Sequence, residues 1–570
     1  MRTPPDGSWT LCSLGPVATE QAEPTPAKAA QEGGAVHGGR LVAQAMKSRG
    51  ATKLFTLSGG HLFSIYDGCK KEGIDVVDTR HEQSAAFAAI GWAKATREPG
   101  ICALTAGCGV TNGMSAIASA QADGVPLVTL GGRAPEMRWG MGSLQEIDHL
   151  PFVGPLVKSA DTVKDPARIA RITAEAIDTA ATAPLGPTFV DYPLDVVFSE
   201  AESEIPDPPA LSATPADGAG RVAKMLSEAE RPAIMAGSNL YWAHAESELR
   251  ELAEALGIPV FLNGLGRGCL PPDHELYFSR ARSTALSGCD VALVIGVPLD
   301  FRLGFGASIG KEATLIQLDF APTRLEKSRL PDLALAGDIR ITLTAIRESA
   351  SGDPRRRAAW VEELRRTETE KRAEEQEMLD DDRSPLHPMR VYKELGDFLD
   401  RDAIVVGDGG DFVSFAGRVW ETWEPGTWMD PGPYGCLGAG PGQAIGAKLA
   451  HPERQVCLLL GDGAFGFSGM EFDTMARHNL PIVAVMGNNG IWALEHHPMK
   501  FLYGYSLAAE LRPETRYDEV VSALGCHGEL VRSPDELRPA LDRAFASGKP
   551  ALVNVLTDPE VVYPRRANLA

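Results

Sequence analysis

Val456-Cys-Leu-Leu-Leu-Gly-Asp-Gly463, followed after 24 intervening residues by Asn488-Asn489 at the end of a second apolar run, Ile482-Val-Ala-Val-Met486, decides the reading of this chain. Each run is short and apolar throughout, the pattern of a strand buried on both faces of a parallel sheet. A carboxylate, Asp462, then stands at the carboxyl end of one strand and a carboxamide, Asn489, just past the end of the other. That edge is where open α/β sheets take their ligands. Both groups are hard oxygen donors suited to magnesium, which keeps few protein ligands and completes its shell with phosphate and water. Gly463 lets the backbone come close to an anion. Gly, Asp and Asn also make ordinary turns; it is the pair, at this spacing and between two such strands, that points to a metal-bridged phosphate.

Bulk properties narrow the setting. The 570 residues are 44% hydrophobic and 23% charged, which describes a soluble globular chain of three or four domains. With 55 basic against 76 acidic residues the net charge is −21, so nucleic acid is excluded as a general partner. Any anion must be met by local arginines, helix N-termini or metal. Nine cysteines lack zinc or C-x-x-C spacing, as suits reduced thiols in a cytoplasmic enzyme. No apolar run approaches the roughly 18 residues that a membrane crossing needs. Residues 1–37, rich in Pro, Ala, Gly and Glu, read as a disordered leader.

Three α/β blocks follow. The first, 38–200, alternates strands such as Lys53–Leu57 and Thr188–Asp191 with helices, the rhythm of a parallel sheet with helical crossovers. A Pro-rich stretch at 205–210 leads to the second block, 215–350, with strands at Pro232–Met235, Val291–Ile295 and Thr314–Leu318. A charged helical linker at 355–386 precedes the third block, 387–560, and residues 561–570 close the chain.

From about residue 38 onward the chain resembles the thiamine diphosphate enzymes. The resemblance implies three Rossmann-like parallel-sheet domains that bind, in order, the pyrimidine, a nucleotide and the diphosphate with Mg2+. It carries Asp462 and Asn489 over as metal ligands, with the Ile491 carbonyl as a third. Gly409, Gly410 and Asp411, after the strand Ala403–Val406, match the turn that holds diphosphate through backbone N–H groups, as do Gly463 and Ala464. Within Pro433-Tyr-Gly-Cys-Leu-Gly438, Leu437 would bend the cofactor, while Gly435 and Leu437 hold the pyrimidine edge through their backbone. The chemistry also needs one glutamate in a dry pocket, hydrogen-bonded to the pyrimidine so that the opposite amino nitrogen becomes basic. Glu82, opening an alanine-rich helix after His81, matches it. In the family that glutamate and the metal lie on different subunits, implying at least a homodimer, or a homotetramer.

Two branches of the family compete. Gln145, in Met141-Gly-Ser-Leu-Gln-Glu-Ile147, is common to both and would face the substrate. Resemblance to the 2-hydroxyacyl-CoA lyases and oxalyl-CoA decarboxylase rests on Ala281-Arg-Ser-Thr-Ala-Leu286, where Arg282 would meet a phosphate of ADP (or FAD) and Asp319 its ribose. It rests also on the tail Tyr563-Pro-Arg-Arg-Ala-Asn-Leu-Ala570, a lid whose Arg565 and Arg566 would pair with CoA phosphates. Glu495 and His496 follow the metal loop, where a general base for a 2-hydroxyl is needed. The expected activity is therefore cleavage of a 2-hydroxyacyl-CoA to formyl-CoA and an aldehyde or ketone. The alternative is acetolactate synthase, which joins 2-oxoacids.

Overall fold

The computed structural model describes residues 35–210, 214–325 and 328–564. Three all-parallel sheets, each flanked by helices, succeed one another along the chain. The first has six strands in the order Asp75–Asp78, Lys53–Thr56, Gly100–Leu104, Leu127–Arg133, Thr188–Pro193, Ser159–Thr162. The second has five, with Val291–Ile295 at its centre. The third again has six: Trp428–Met429, Ile404–Asp408, Val456–Gly461, Val483–Asn488, Ala551–Leu556 and His527–Val531. The Val/Ile/Leu runs of the sequence are the buried central strands of these sheets, as expected where helices cover both faces.

Order begins earlier than the composition suggests. Val36–His37 pairs antiparallel with Glu200–Ala201, and His37 caps the helix Gly38–Ser48 through its ring nitrogen, which accepts from the Arg40 N–H at 3.2 Å. The last residues of the stretch read as leader therefore close the first domain, because Val36 has an apolar partner face to cover. Among the described residues no helix is long and apolar enough to cross a membrane. Arg565 and Arg566 lie outside the described residues.

The first and third domains are joined by one close helix crossing. Glu82–Thr96 is lined by Ala85, Ala86, Ala88, Ala89 and Ala93, all buried, and it crosses Ala439–Ala450 at glycines on both sides. A Cβ on Gly446 would lie 2.1 Å from the Ala88 carbonyl oxygen, and one on Gly91 would lie 2.2 Å from that of Gln443. The small-residue face read from the sequence is what lets these backbones touch. A buried ion pair reinforces the junction: Lys94 Nζ lies 3.2 Å from Asp123 Oδ2 and also reaches Gln443 Oε1 at 3.3 Å.

Candidate active site

Register alone brings the metal candidates together. In the third sheet Gly461 is the direct partner of Gly487, so the residues just beyond each strand end are neighbours. Asp462 opens a short helix, Asp462–Ser468, and is buried. Its Oδ2 accepts from the Gly490 N–H at 2.8 Å and its Oδ1 from the Gly463 N–H at 3.0 Å. Each oxygen keeps a lone pair. Burial pushes this carboxyl up to about 6, against the pull of the two N–H bonds. A bound cation would reverse that cost.

Asn489 Oδ1 accepts from the Ile491 N–H at 3.1 Å. Ile491 is bridged to Glu510 with the hydrogen bonds made by its neighbours, Trp492 N–H to the Ala509 carbonyl and Leu511 N–H to the Gly490 carbonyl. In that antiparallel pattern the Ile491 carbonyl itself faces away from residue 510. Among the described residues no cluster of three or more His, Cys, Asp or Glu could cage a metal. The donors here are one carboxylate, one carboxamide and one carbonyl, the set for a hard cation that shares its shell with phosphate.

These residues open on one cavity of about 460 Å³. Its lining collects Gly409, Gly410 and Asp411 at the start of the helix Asp411–Val419, Gly435 and Leu437 from the facing turn, and Asp462, Gly463, Ala464, Asn489, Ile491 and Glu495. Gly409 has φ +121°, a conformation that glycine alone takes without strain. A Cβ on Gly463 would fall 2.6 Å from the Trp492 ring, and one on Gly410 would fall 2.4 Å from Leu494. The segment after Asn489 thus closes directly onto bare backbone, the form that an anion cradle built of N–H groups requires. The middle domain adds Asn263, Phe301 and Arg302 to the wall, none of which the sequence had marked.

Glu82, Gln145 and His496 lie outside that lining. Glu82 does not line this cavity in its own chain. It is the buried first residue of its helix, and Asn112 Nδ2 donates to its Oε2 at 3.0 Å. Nothing in the sequence marked Asn112, which sits on a different helix 30 positions away. Gln83, next to Glu82, reaches the Leu437 carbonyl at 3.4 Å, so the two domains meet beside the turn that lines the cavity. Gln145, also outside the lining, has φ +60° and donates to Cys108 Sγ at 3.2 Å. His496 turns away to Ser506, 2.8 Å from its Nδ1, while Glu495 is exposed at the cavity wall.

In the middle domain Arg282 and Asp319 do not share a cavity lining. Arg282 faces a separate cavity of about 540 Å³ together with Arg267, Lys371, Tyr563 and Pro564. Burial and Arg267 lower its pKa. Asp319 is buried, and its Oδ1 accepts from Asn239 Nδ2 at 2.9 Å and from the Phe320 N–H at 2.7 Å. Both of these bonds fall on Oδ1.

Comparison with known proteins agrees with this layout. The N-terminal thiamine pyrophosphate (TPP) binding domain of thiamine pyrophosphate enzymes matches residues 36–152, the central domain of those enzymes 219–346, and their C-terminal TPP binding domain 408–555. Acetolactate synthase large subunit IlvG of Mycobacterium tuberculosis is 58% identical over 541 residues, covering 94% of this chain and 98% of that one. 2-hydroxyacyl-CoA lyase 2 of Homo sapiens is 33% identical over 572 residues, covering 91% and 90%. 2-hydroxyacyl-CoA lyase of Arabidopsis thaliana is 31% identical over 549 residues, covering 92% and 96%.

Proposed function

The chain belongs to the thiamine pyrophosphate enzyme family, and from that premise we propose that it joins two 2-oxoacids as an acetolactate synthase does. The observation that carries this choice is the far higher identity, over nearly the whole chain, to an acetolactate synthase large subunit than to the lyases. It reverses the order of preference that the tail and the middle-domain motif suggested. Those features are short, and a nucleotide pocket or a basic terminus is compatible with either activity.

Bound thiamine diphosphate supplies a carbon nucleophile for a 2-oxo group and a sink for the electrons of the bond that breaks beside it. The rest falls to the chain. Asp462, Asn489 and the Ile491 carbonyl would hold Mg2+, and Gly409, Gly410, Gly463 and Ala464 would present backbone to the diphosphate. Leu437 and Gly435, on the facing wall, would support the ring end. Glu82, held in place by Asn112, would hold a proton at the ring end. Glu82 does not line the cavity of its own chain, which supports its being supplied by a second copy and a working unit that is a homodimer or larger. Exposed apolar side chains flank both halves of that contact, Met137, Met141 and Leu144 around Gln145, and Tyr434, Phe467 and Met470 beside the cavity. Two pyruvates and a proton then give acetolactate and carbon dioxide. The middle domain is read as a nucleotide site, ADP or FAD, and the compartment as the cytoplasm.

One observation favours the lyase as second reading: Glu495 stands at the cavity wall, where a carboxylate could take the 2-hydroxyl proton. The experiment is a direct competition. The protein is supplied with Mg2+ and thiamine diphosphate, and pyruvate is compared with a 2-hydroxyacyl-CoA. Acetolactate formed from pyruvate, with no formyl-CoA from the thioester, is the expected result. Formyl-CoA without acetolactate would restore the lyase.

A further inference from the structure

We propose that Asp408 is a positioning residue that couples the two walls of the cofactor cavity, holding the Leu437 turn at a set distance from the Gly409-Gly410 turn. The inference rests on the thiamine diphosphate reading of that cavity.

Asp408 ends the strand Ile404–Asp408, and its main chain runs straight into Gly409 and Gly410. Its side chain is fully buried, and both oxygens are used on the opposite wall. Oδ1 accepts from the Gly438 N–H at 3.1 Å and Oδ2 from the Gly440 N–H at 2.8 Å. Those two donors bracket Ala439, the first residue of the helix Ala439–Ala450, and Gly438 directly follows Leu437. The backbone is moulded around the carboxylate. Gly438 has φ +81°, and a Cβ on Gly440 would lie 2.5 Å from the Asp408 Cβ.

A neutral Asn or Ser would cap this helix too, without the desolvation that pushes the Asp408 carboxyl up to about 7. What the carboxylate adds is a two-pronged brace between segments 30 residues apart, one leading to the diphosphate turn and the other following the pyrimidine turn. A ligand that spans both turns depends on that separation. A ligand that occupies the phosphate end alone does not.

The test follows from this asymmetry. The full-length protein and its Asp408→Ala and Asp408→Asn variants are titrated calorimetrically with thiamine diphosphate and, separately, with inorganic pyrophosphate, both with Mg2+. Asp408→Ala should weaken thiamine diphosphate roughly ten- to a hundredfold, the effect of one or two buried N–H groups left unpaired, and pyrophosphate by less than about threefold. Asp408→Asn, which keeps one acceptor, should fall between. Equal weakening of both ligands, or of neither, overturns the proposal; a general loss of structure would not produce the split. A wild-type protein that fails to bind thiamine diphosphate brings down the cofactor reading itself. Should both variants fail to fold, amide exchange in the wild type decides. Gly438 and Gly440 must then be protected as well as strand Val456–Gly461, and fast exchange at either overturns the brace.

Discussion

The ligand edge of the third domain and that of the first domain carry candidate residues of equal importance but reach their positions differently. In the third domain, strand register makes Asp462 and Asn489 neighbours, and glycines at 409, 410 and 463 leave open backbone around them. Those candidates share one cavity lining within one chain. In the first domain Glu82 is buried beneath Asn112, and Gln145 hangs on a left-handed turn; neither faces the cavity of its own chain. A sheet edge assembles what lies at strand ends, whereas a residue at a helix N-terminus needs something brought to it from outside.

Several changes would break or sharpen that contrast. The largest effect belongs to the third-domain half. Asp462→Ala should weaken Mg–thiamine diphosphate by more than the roughly 10- to 100-fold typical of residues behind the metal ligands, as read by calorimetry. Retained binding would remove Asp462 from the metal site. Glu82→Gln should leave binding nearly untouched and lower turnover by about two to four orders of magnitude, the usual span for a lost proton-transfer partner. If the two variants behave alike, the division between the halves is wrong.

Changes to the supporting structure should cost less. Gly446→Leu drives a side chain into the Ala88 carbonyl and should lower unfolding stability by at least about 1–3 kcal/mol in a urea melt. An unchanged midpoint would mean that the helices do not touch. Asn112→Ala leaves a buried Glu82 oxygen without its donor and should reduce turnover roughly five- to tenfold with binding intact. No change would make Asn112 a bystander.

The smallest effect is a pH dependence. Asp408 has a folded-state pKa near 7, above its ordinary 3.8. Its contribution to stability is full below the unfolded value and is lost as pH rises through 7. Melting of wild type against Asp408→Asn, from about pH 5 to 8, should show the wild type losing ground as pH rises. A flat difference would mean that the carboxylate is ionised at no cost.

The central strands were legible because buried parallel strands are apolar without interruption, and Val291–Ile295 begins and ends where the pattern did. The third-domain candidates were legible for the same reason, since Asp462 and the Gly409 turn abut such runs. Asn112, Arg302 and Asp408 were not. Asn112 and Asp408 bond to residues 30 or more positions away, and Arg302, paired locally with Asp300, lines a cavity built mainly by another domain; a polar residue in a helix or at a strand end carries no mark of what it will face.

Sequence alone determined the three-sheet architecture, the placing of Asp462 and Asn489 at adjacent strand ends and the alanine face of the Glu82 helix, because each is a local pattern read along a few turns or one strand. Tertiary structure decided which residues share a cavity. It put Glu495 at the wall and His496 away from it, left Glu82 and Gln145 outside, and enlisted Phe301 and Arg302 from a domain read only as a nucleotide binder. The physical reason is that side-chain chemistry is written in the residue, while proximity depends on how strands register and helices cross.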